Sequence, residues 1–287
     1  MWISDKWKDY ELTDTSSGDR LEKWGKYTLV RPDPQVIWNS DKKNPLWHRA
    51  DAVYTRSKSG GGAWSRNNLP TEWTVRYEDL TLRVKPMGFK HTGIFPEQAT
   101  NWDWFSDLIK KSGREIRVLN LFAYTGAATV AAAKAGASVC HVDAAKGMVE
   151  AAKENAKLNN LSDAPIRYIV DDCKKFVERE IRRGKKYDGI IMDPPSYGRG
   201  PTGEVWKIEE CIDDFVQLVS NLFSDEPLFF LLNSYTTGLS ASTMKYIAQL
   251  HLGKNRSIRC EADELGLYVK DSGLSLPCGS SVRCVFD

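Results

Sequence analysis

Hydrophobic residues in this chain occur in two patterns: short unbroken runs, and longer stretches where they recur every three or four positions. The runs Val118 to Phe122, Ser138 to Val142, Ile166 to Val170, Tyr187 to Met192 and Leu228 to Leu232 predict buried parallel strands. Between them lie helical patterns. The first is the alanine-rich Ala127 to Ala135, ended by Gly136; Lys146 to Asn159 follows, with Met148, Ala151, Ala152 and Ala156 on one face, and then Cys173 to Arg183. Arg256 to Ala262 and Val282 to Phe286 predict two last strands, and the stretch between them, with Gly266, Gly273, Pro277 and Gly279, reads as a rim loop. Strand and helix alternating in this way predict an α/β fold around one twisted, mostly parallel sheet.

The first third of the chain is patterned differently. Tyr27 to Arg31 and Val36 to Trp38 read as short strands either side of Pro32-Asp33-Pro34, and Trp73 to Tyr77 with Leu80 to Val84 reads as a hairpin around Glu78-Asp79. Residues 1 to about 25, including the polar cluster Thr13–Gly18, read as an irregular lead-in, and Asp41 to Pro45 as a loop. Ser57 to Gly62 is either a mobile loop or a place where backbone approaches a partner. The predicted organisation is a small β-rich, tryptophan-rich domain over residues 1–88 and an α/β domain over 89–287, entered through an amphipathic helix at about Gln98 to Lys111. The stretch before that helix, with Gly93, Phe95, Glu97 and Gln98, could close the open side of a pocket.

A chain of 287 residues, 41% hydrophobic, has enough apolar material for a real core. No stretch approaches the roughly 18 apolar residues of a membrane span, and the N-terminus lacks a signal-peptide core, so cytoplasmic residence is the expectation. The six cysteines, at 140, 173, 211, 260, 278 and 284, form no C-x-x-C pair; reduced thiols and no metal site are expected. A net charge of +2 does not by itself announce nucleic acid. Lys42, Lys43, Arg49, Arg56, Lys58 and Arg66, interleaved with Trp47 and Trp64, suit contact with phosphates and stacked bases, or else a solvated face over a tryptophan core.

The candidate chemistry lies at the carboxyl ends of the predicted strands. Val118 to Asp143 is strand, glycine turn, helix, strand and acid, the plan of a nucleoside site: Gly126 admits a close ligand and Asp143 can accept both ribose hydroxyls. A dinucleotide site needs three glycines to seat a pyrophosphate, whereas here Ala127 and Ala128 follow a single one. That favours an adenosine ligand without phosphate, S-adenosylmethionine being the common case. After the third strand, Asp171 or Asp172 can accept an adenine amino group while the Cys173 N–H meets a ring nitrogen; Asp172 is favoured. After the fourth, Asp193-Pro194-Pro195-Ser196-Tyr197-Gly198 would present carbonyls and a carboxylate to a planar amino or amide group, with Tyr197 to stack on it. Gly126, Asp143, Asp172 and Asp193 would thus open on one crevice.

The series NLFAYTG, VD, DD and DPPSYG, at these intervals and preceded by TGIFPEQ, resembles the class I S-adenosylmethionine-dependent methyltransferases. Within them it resembles the large-subunit ribosomal RNA methyltransferases that include cytosine-5 enzymes with a PUA domain. The likeness runs from about Trp73 to the C-terminus and implies a Rossmann-like seven-stranded sheet with an antiparallel last strand. It implies cofactor-binding roles for Gly93, Phe95, Asn120, Phe122, Ala123, Tyr124, Thr125, Gly126, Asp143, Ala144, Asp171, Asp172, Cys173 and Asp193. Asp193, Pro194, Pro195 and Tyr197 would form the catalytic loop, acting on RNA, with the oligomeric state open. Two departures stand out. No PUA domain is evident in the N-terminal segment. Where cytosine-5 relatives carry a nucleophilic cysteine after the fifth strand, this chain reads Asn233-Ser234-Tyr235-Thr236-Thr237. Without covalent addition a pyrimidine carbon is a poor nucleophile, so the expectation is direct transfer to a nitrogen. The alternatives are a cytosine-5 enzyme using Cys211, a non-catalytic RNA-binding protein that keeps the pocket, and methylation of a protein or metabolite.

Overall fold

The chain folds as two units, residues 1–100 with 265–278 and residues 101–264 with 279–287; the computed structural model describes residues 1–57, 61–66, 69–88, 90–199, 205–254 and 256–287. The first unit holds β1 (Trp2–Ile3), β2 (Tyr10–Ser16), β3 (Asp19–Trp24), β4 (Tyr27–Pro32), β5 (Ala52–Arg56), β6 (Gly62–Arg66), β7 (Trp73–Tyr77) and β8 (Leu80–Val84). Strands β2 to β6 form one sheet in sequence order, and β7 and β8 form the predicted hairpin.

Two expectations are corrected in this unit. The stretch read as an irregular lead-in contains β2 and β3, joined by a tight Ser17–Gly18 turn in which both residues have positive φ. Several of its buried polar residues find partners: Trp47 Nε1 donates to Asp14 Oδ2 at 2.8 Å, and Trp38 Nε1 donates to Thr15 Oγ1 at 3.1 Å. Val36 to Trp38 is not a strand. Its carbonyls accept from the Gly18 and Ser17 N–H groups without entering a ladder, and Ile37 is 87% exposed.

Trp47 lies in a small core with Leu21 and Val30, so its ring serves packing rather than base stacking. Trp64 donates its indole N–H to the Met87 carbonyl. Lys58, Ser59 and Gly60 of the Ser57–Gly62 loop fall outside the described residues. Glu22, fully buried, accepts from Tyr10 Oη at 2.8 Å and from Arg31 Nη2 at 2.7 Å, with Arg20 Nε 3.3 Å away.

The second unit is built on α1 (Ala99–Lys111, shared at its first two residues with the first unit), β9 (Arg117–Leu121), α2 (Ala127–Lys134), β10 (Ser138–Asp143), α3 (Lys146–Leu158), β11 (Ile166–Val170), α4 (Cys173–Arg182) and β12 (Gly189–Met192). It continues through a short hairpin, β13 (Tyr197–Arg199) and β14 (Val205–Lys207), then α5 (Ile208–Val219), β15 (Phe229–Ser234), α6 (Ala241–Leu252), β16 (Ile258–Tyr268) and β17 (Ser275–Phe286), the last two shared with the first unit at residues 265–268 and 275–278. Its sheet runs β16-β17-β15-β12-β9-β10-β11; β15, β12, β9, β10 and β11 are mutually parallel and β17 is antiparallel to β15. All four β12 residues are buried and β15 is buried throughout, as strands covered on both faces require.

The last two strands are longer than their apolar cores predict, and the expected rim loop shrinks accordingly. Gly266 lies inside β16, Pro277 and Gly279 lie inside β17, and Gly273, at φ +69°, makes the turn. Cys260 and Cys284 form a disulfide, which corrects the expectation of six reduced thiols. They are 24 residues apart and meet only because β16 and β17 are neighbours, a pairing set by register that spacing along the chain does not reveal.

Candidate functional site

Order along the sheet reverses at β9: the chain runs out through β10 and β11 on one side, then returns to place β12 and β15 on the other. Loops after β9 and β12 therefore diverge, leaving a crevice at the carboxyl ends of the strands. Because these strands are parallel, the turns holding Gly126, Asp143, Asp172 and Asp193 all lie on this edge.

The turn after β9 is strained. Phe122, Tyr124 and Gly126 have φ values of +56°, +51° and +80°, so the chain alternates in and out of the left-handed region within five residues. Asp143 holds that shape: its Oδ2 accepts the Tyr124 N–H and its Oδ1 the Ala145 N–H, both at 2.8 Å. Burial pushes the Asp143 carboxyl up, and the two backbone donors, Ala145 and Tyr124, pull it back down. Gly126 has a second reason to be glycine. A methyl group there would lie 2.6 Å from that of Ala152 on α3, so the glycine sets how closely α2 and α3 pack.

Asn155 of α3 donates to the Thr125 carbonyl at 2.8 Å and fastens the turn from beneath. Ala123, like Thr125, is buried, while Ala144 is exposed beside Asp143. Asn120 differs from its neighbours: its amide donates to Thr129 Oγ1 at 2.9 Å, which is itself 2.9 Å from His141 Nδ1, a buried group whose pKa burial pushes down to about 4. That side chain is engaged in the interior of the sheet.

Asp172 is the N-cap of α4, with Oδ1 accepting the Lys175 N–H at 2.9 Å, whereas the Asp171 carboxylate is paired with Arg179. Both acids are thus engaged with α4, Asp171 through Arg179 and Asp172 as its cap. Cys173 is buried, and the Phe122 N–H donates to its sulfur at 3.3 Å, joining the third loop to the first.

The loop after β12 is held by residues that sequence reading passed over. Trp206 of β14 donates its indole N–H to the Pro195 carbonyl at 2.6 Å, so that carbonyl, expected to face a substrate, is already engaged. The Trp206 ring meets Phe122 and Phe215, each with centroids 5.6 Å away, and so contacts both the first loop and α5. Thr236, after β15, donates to Ser196 Oγ at 2.6 Å and ties the Asn233–Thr237 segment to this loop. Pro194 is buried, Asp193 half-buried, and Tyr197 51% exposed. A tryptophan eleven residues past a D-P-P turn carries no signal of its own; only the hairpin pairing Gly198 with Trp206 brings it back.

Gly93 and Phe95 belong to the first unit, where Gly93 takes φ +94° and Phe95 precedes a 3-10 turn, Pro96–Gln98, with its ring 5.4 Å from that of His91. The donor set on the strand edge suits one kind of ligand. Asp143, Asp172 and Asp193 bring three carboxylates there, with Asp171 paired to Arg179, an arrangement that repels a pyrophosphate and attracts an adenosine-bearing sulfonium. The residues present fit S-adenosylmethionine.

Known proteins point the same way. Residues 46–210 match the sequence profile of the S-adenosylmethionine-dependent methyltransferases. The fold resembles the crystal structure of a SAM-dependent methyltransferase from Agrobacterium tumefaciens, 34% identical, with a TM-score of 0.93 over 99% of this chain and 92% of that one. Among curated relatives, ribosomal RNA large subunit methyltransferase I of Enterobacter sp. (strain 638) is 38% identical over 157 residues, covering 53% of this chain and 38% of the relative. Ribosomal RNA large subunit methyltransferase K/L of Shewanella frigidimarina is 34% identical over 145 residues, covering 48% and 20%. The chain spans between 20% and 40% of the length of such curated relatives.

Proposed function

This chain belongs to the S-adenosylmethionine-dependent methyltransferase family, and we propose that it methylates a nucleobase of ribosomal RNA by direct transfer to a nitrogen. The proposed cofactor residues are the Phe122–Gly126 turn, Asp143 with Ala144, and Asp172 with the Cys173 N–H. Bound there, S-adenosylmethionine supplies an electrophilic methyl carbon that a lone pair can take while the carbon–sulfur electrons retire to sulfur.

The chain's own part is to hold the acceptor nitrogen in line. Asp193 offers its carboxylate to an amino N–H, draws that nitrogen into place and stands ready to receive the proton it sheds. Pro194 stiffens the turn, and Tyr197 offers an exposed ring on which a base can stack. Trp206 and Thr236 keep the loop from swinging away.

The observation that carries the choice of nitrogen is the chemistry of the segment beside Asp193, where Asn233-Ser234-Tyr235 offers no thiol to add to a pyrimidine ring. Ribosomal RNA as the substrate class rests on the names of the relatives. Residues 89–287 are proposed as the catalytic domain and 1–88 as its β-rich companion. The test is twofold. Calorimetry should show saturable S-adenosylmethionine binding that Asp143→Ala weakens. Mass spectrometry of ribosomal RNA nucleosides from cells lacking the protein should show one N-methylated base missing. An unchanged nucleoside profile would remove the RNA assignment while leaving cofactor binding standing.

A further inference from the structure

We propose that the side-chain amide of Asn233 is a substrate-reading hydrogen-bond donor, set beside Asp193 to take an acceptor atom on the edge of the target base. The assignment rests on the nucleobase reading above and names a recognition element for it.

A guanidinium can only donate, and Arg283 Nε donates to Asn101 Oδ1 at 2.8 Å. Burial pushes the Arg283 group down to about 10, which still leaves it charged at neutral pH. With its oxygen so fixed, Asn101 turns its Nδ2 to donate to Asn233 Oδ1 at 3.1 Å and to Ser281 Oγ at 3.0 Å. Ser281 passes its own hydroxyl hydrogen to Asn233 Oδ1 at 2.6 Å. Two donors on one oxygen settle which end of the Asn233 amide is which, so Nδ2 must face away from the network.

Nδ2 has no acceptor among the described residues, yet it is not one of the unpartnered side-chain atoms sealed from solvent, although Asn233 as a whole is only 3% exposed. A donor held rigidly, nearly buried and still reachable lines a crevice. Register identifies the crevice. Met192 pairs with Leu232, so Asp193 and Asn233 are the next residues of adjacent parallel strands, about 4.8 Å apart. Thr236 and Ser196 join the two loops just beyond them. A carboxylate that takes N–H and an amide that gives it thus stand side by side, matching a base edge with an amino group next to a ring nitrogen or carbonyl. Two asparagines, a serine and an arginine buried together are costly to keep unless the order they impose is used.

The test compares wild type with Asn233→Ala and Asn233→Asp in three measurements: S-adenosylmethionine affinity by calorimetry, thermal unfolding, and transfer of a tritiated methyl group to ribosomal RNA from cells lacking the protein. Both variants are expected to bind the cofactor within about twofold of wild type and to lose roughly 10–100-fold in kcat/KM for RNA. Asn233→Asp should be the less active, because its carboxylate keeps the acceptor that Asn101 and Ser281 need but has no N–H to give. A purely structural role predicts the reverse order, with cofactor affinity falling in step with stability; that result overturns the assignment, as does activity within twofold of wild type in both variants. A wild-type protein that binds cofactor but methylates no ribosomal RNA overturns the RNA reading, and this assignment with it. An active wild type with unaffected variants overturns this assignment alone.

Discussion

A methyl group added to Gly126 would meet Ala152 at 2.6 Å and would have to adopt φ +80°, two penalties of different origin at one position. The contact is an overpacking cost and the dihedral a backbone cost, so Gly126→Ala should lower stability by about 2–4 kcal/mol in urea titrations. Adding Ala152→Gly removes the methyl contact but leaves the dihedral and the Ala152 Cα at 3.1 Å, and adds a mid-helix glycine that by itself costs about 1 kcal/mol; the double variant should therefore lose less than the sum of the two single losses. Strict additivity would mean that the glycine is not set by helix packing. Asp143 tests the same turn from its other side. Each of its oxygens anchors a backbone N–H, so Asp143→Ala removes both the proposed cofactor acceptor and the support of the Tyr124 conformation. A loss of about 100-fold in S-adenosylmethionine affinity is expected by calorimetry, larger than one hydrogen bond accounts for. Asn at this position keeps one acceptor oxygen and should fall between the two.

Among whole elements, the loop after β12 is braced by a hairpin that no pattern in the sequence foretells. Trp206→Phe keeps an aromatic ring against Phe122 and Phe215 but removes the N–H given to Pro195, so RNA methylation should fall about 10-fold with cofactor affinity unchanged. Trp206→Ala also takes away the ring on Phe122, and cofactor affinity should then fall as well. What could be read in advance follows from how each element is buried. Strands β9, β10, β12 and β15 are largely covered on both faces and appear as plain apolar runs, while the edge strand β11 is only half-buried but keeps an apolar run, which is why their carboxyl-end turns could be ordered from the sequence. Strand β2 hides its burial in hydrogen-bonded polar residues such as Asp14 and Thr15, so it read as irregular. Trp206, Thr236 and the Cys260–Cys284 bridge depend on register between distant segments, which no local pattern encodes. The buried charge in β3 is likewise invisible locally, and it has a pH signature. Burial would raise the Glu22 carboxyl, but Arg20 and Arg31 hold it down to about 2 from an ordinary 4.5. A depressed carboxylate stabilises the fold above its unfolded pKa and ceases to as pH falls through the folded one. Urea stability of the wild type should therefore drop between about pH 4.5 and pH 2, and Glu22→Gln should be less stable at neutral pH and flatter across that window.

Across the whole molecule, the choice between carbon and nitrogen chemistry reduces to following every sulfur. Cys260 and Cys284 are bonded to each other. Burial pushes the Cys140 thiol up to about 11 and raises Cys173 and Cys278 as well, so none of these three is a ready thiolate at neutral pH. Cys173 is the instructive case: it touches the proposed cofactor turn through the Phe122 N–H, yet it does so as a buried acceptor of a hydrogen bond. Cys211, half-buried on α5, remains as the candidate for covalent addition. If transfer goes to nitrogen, Cys211→Ser should methylate ribosomal RNA at the wild-type rate, and RNA carrying 5-fluorocytidine should leave no protein–RNA adduct stable to denaturing electrophoresis. If carbon is the target, the fluorinated ring would trap the enzyme through its sulfur, and the serine variant would both escape the trap and lose activity. The two outcomes are opposite on both readouts, so one gel and one rate decide between a nitrogen methyltransferase and a cytosine-5 enzyme with a displaced cysteine.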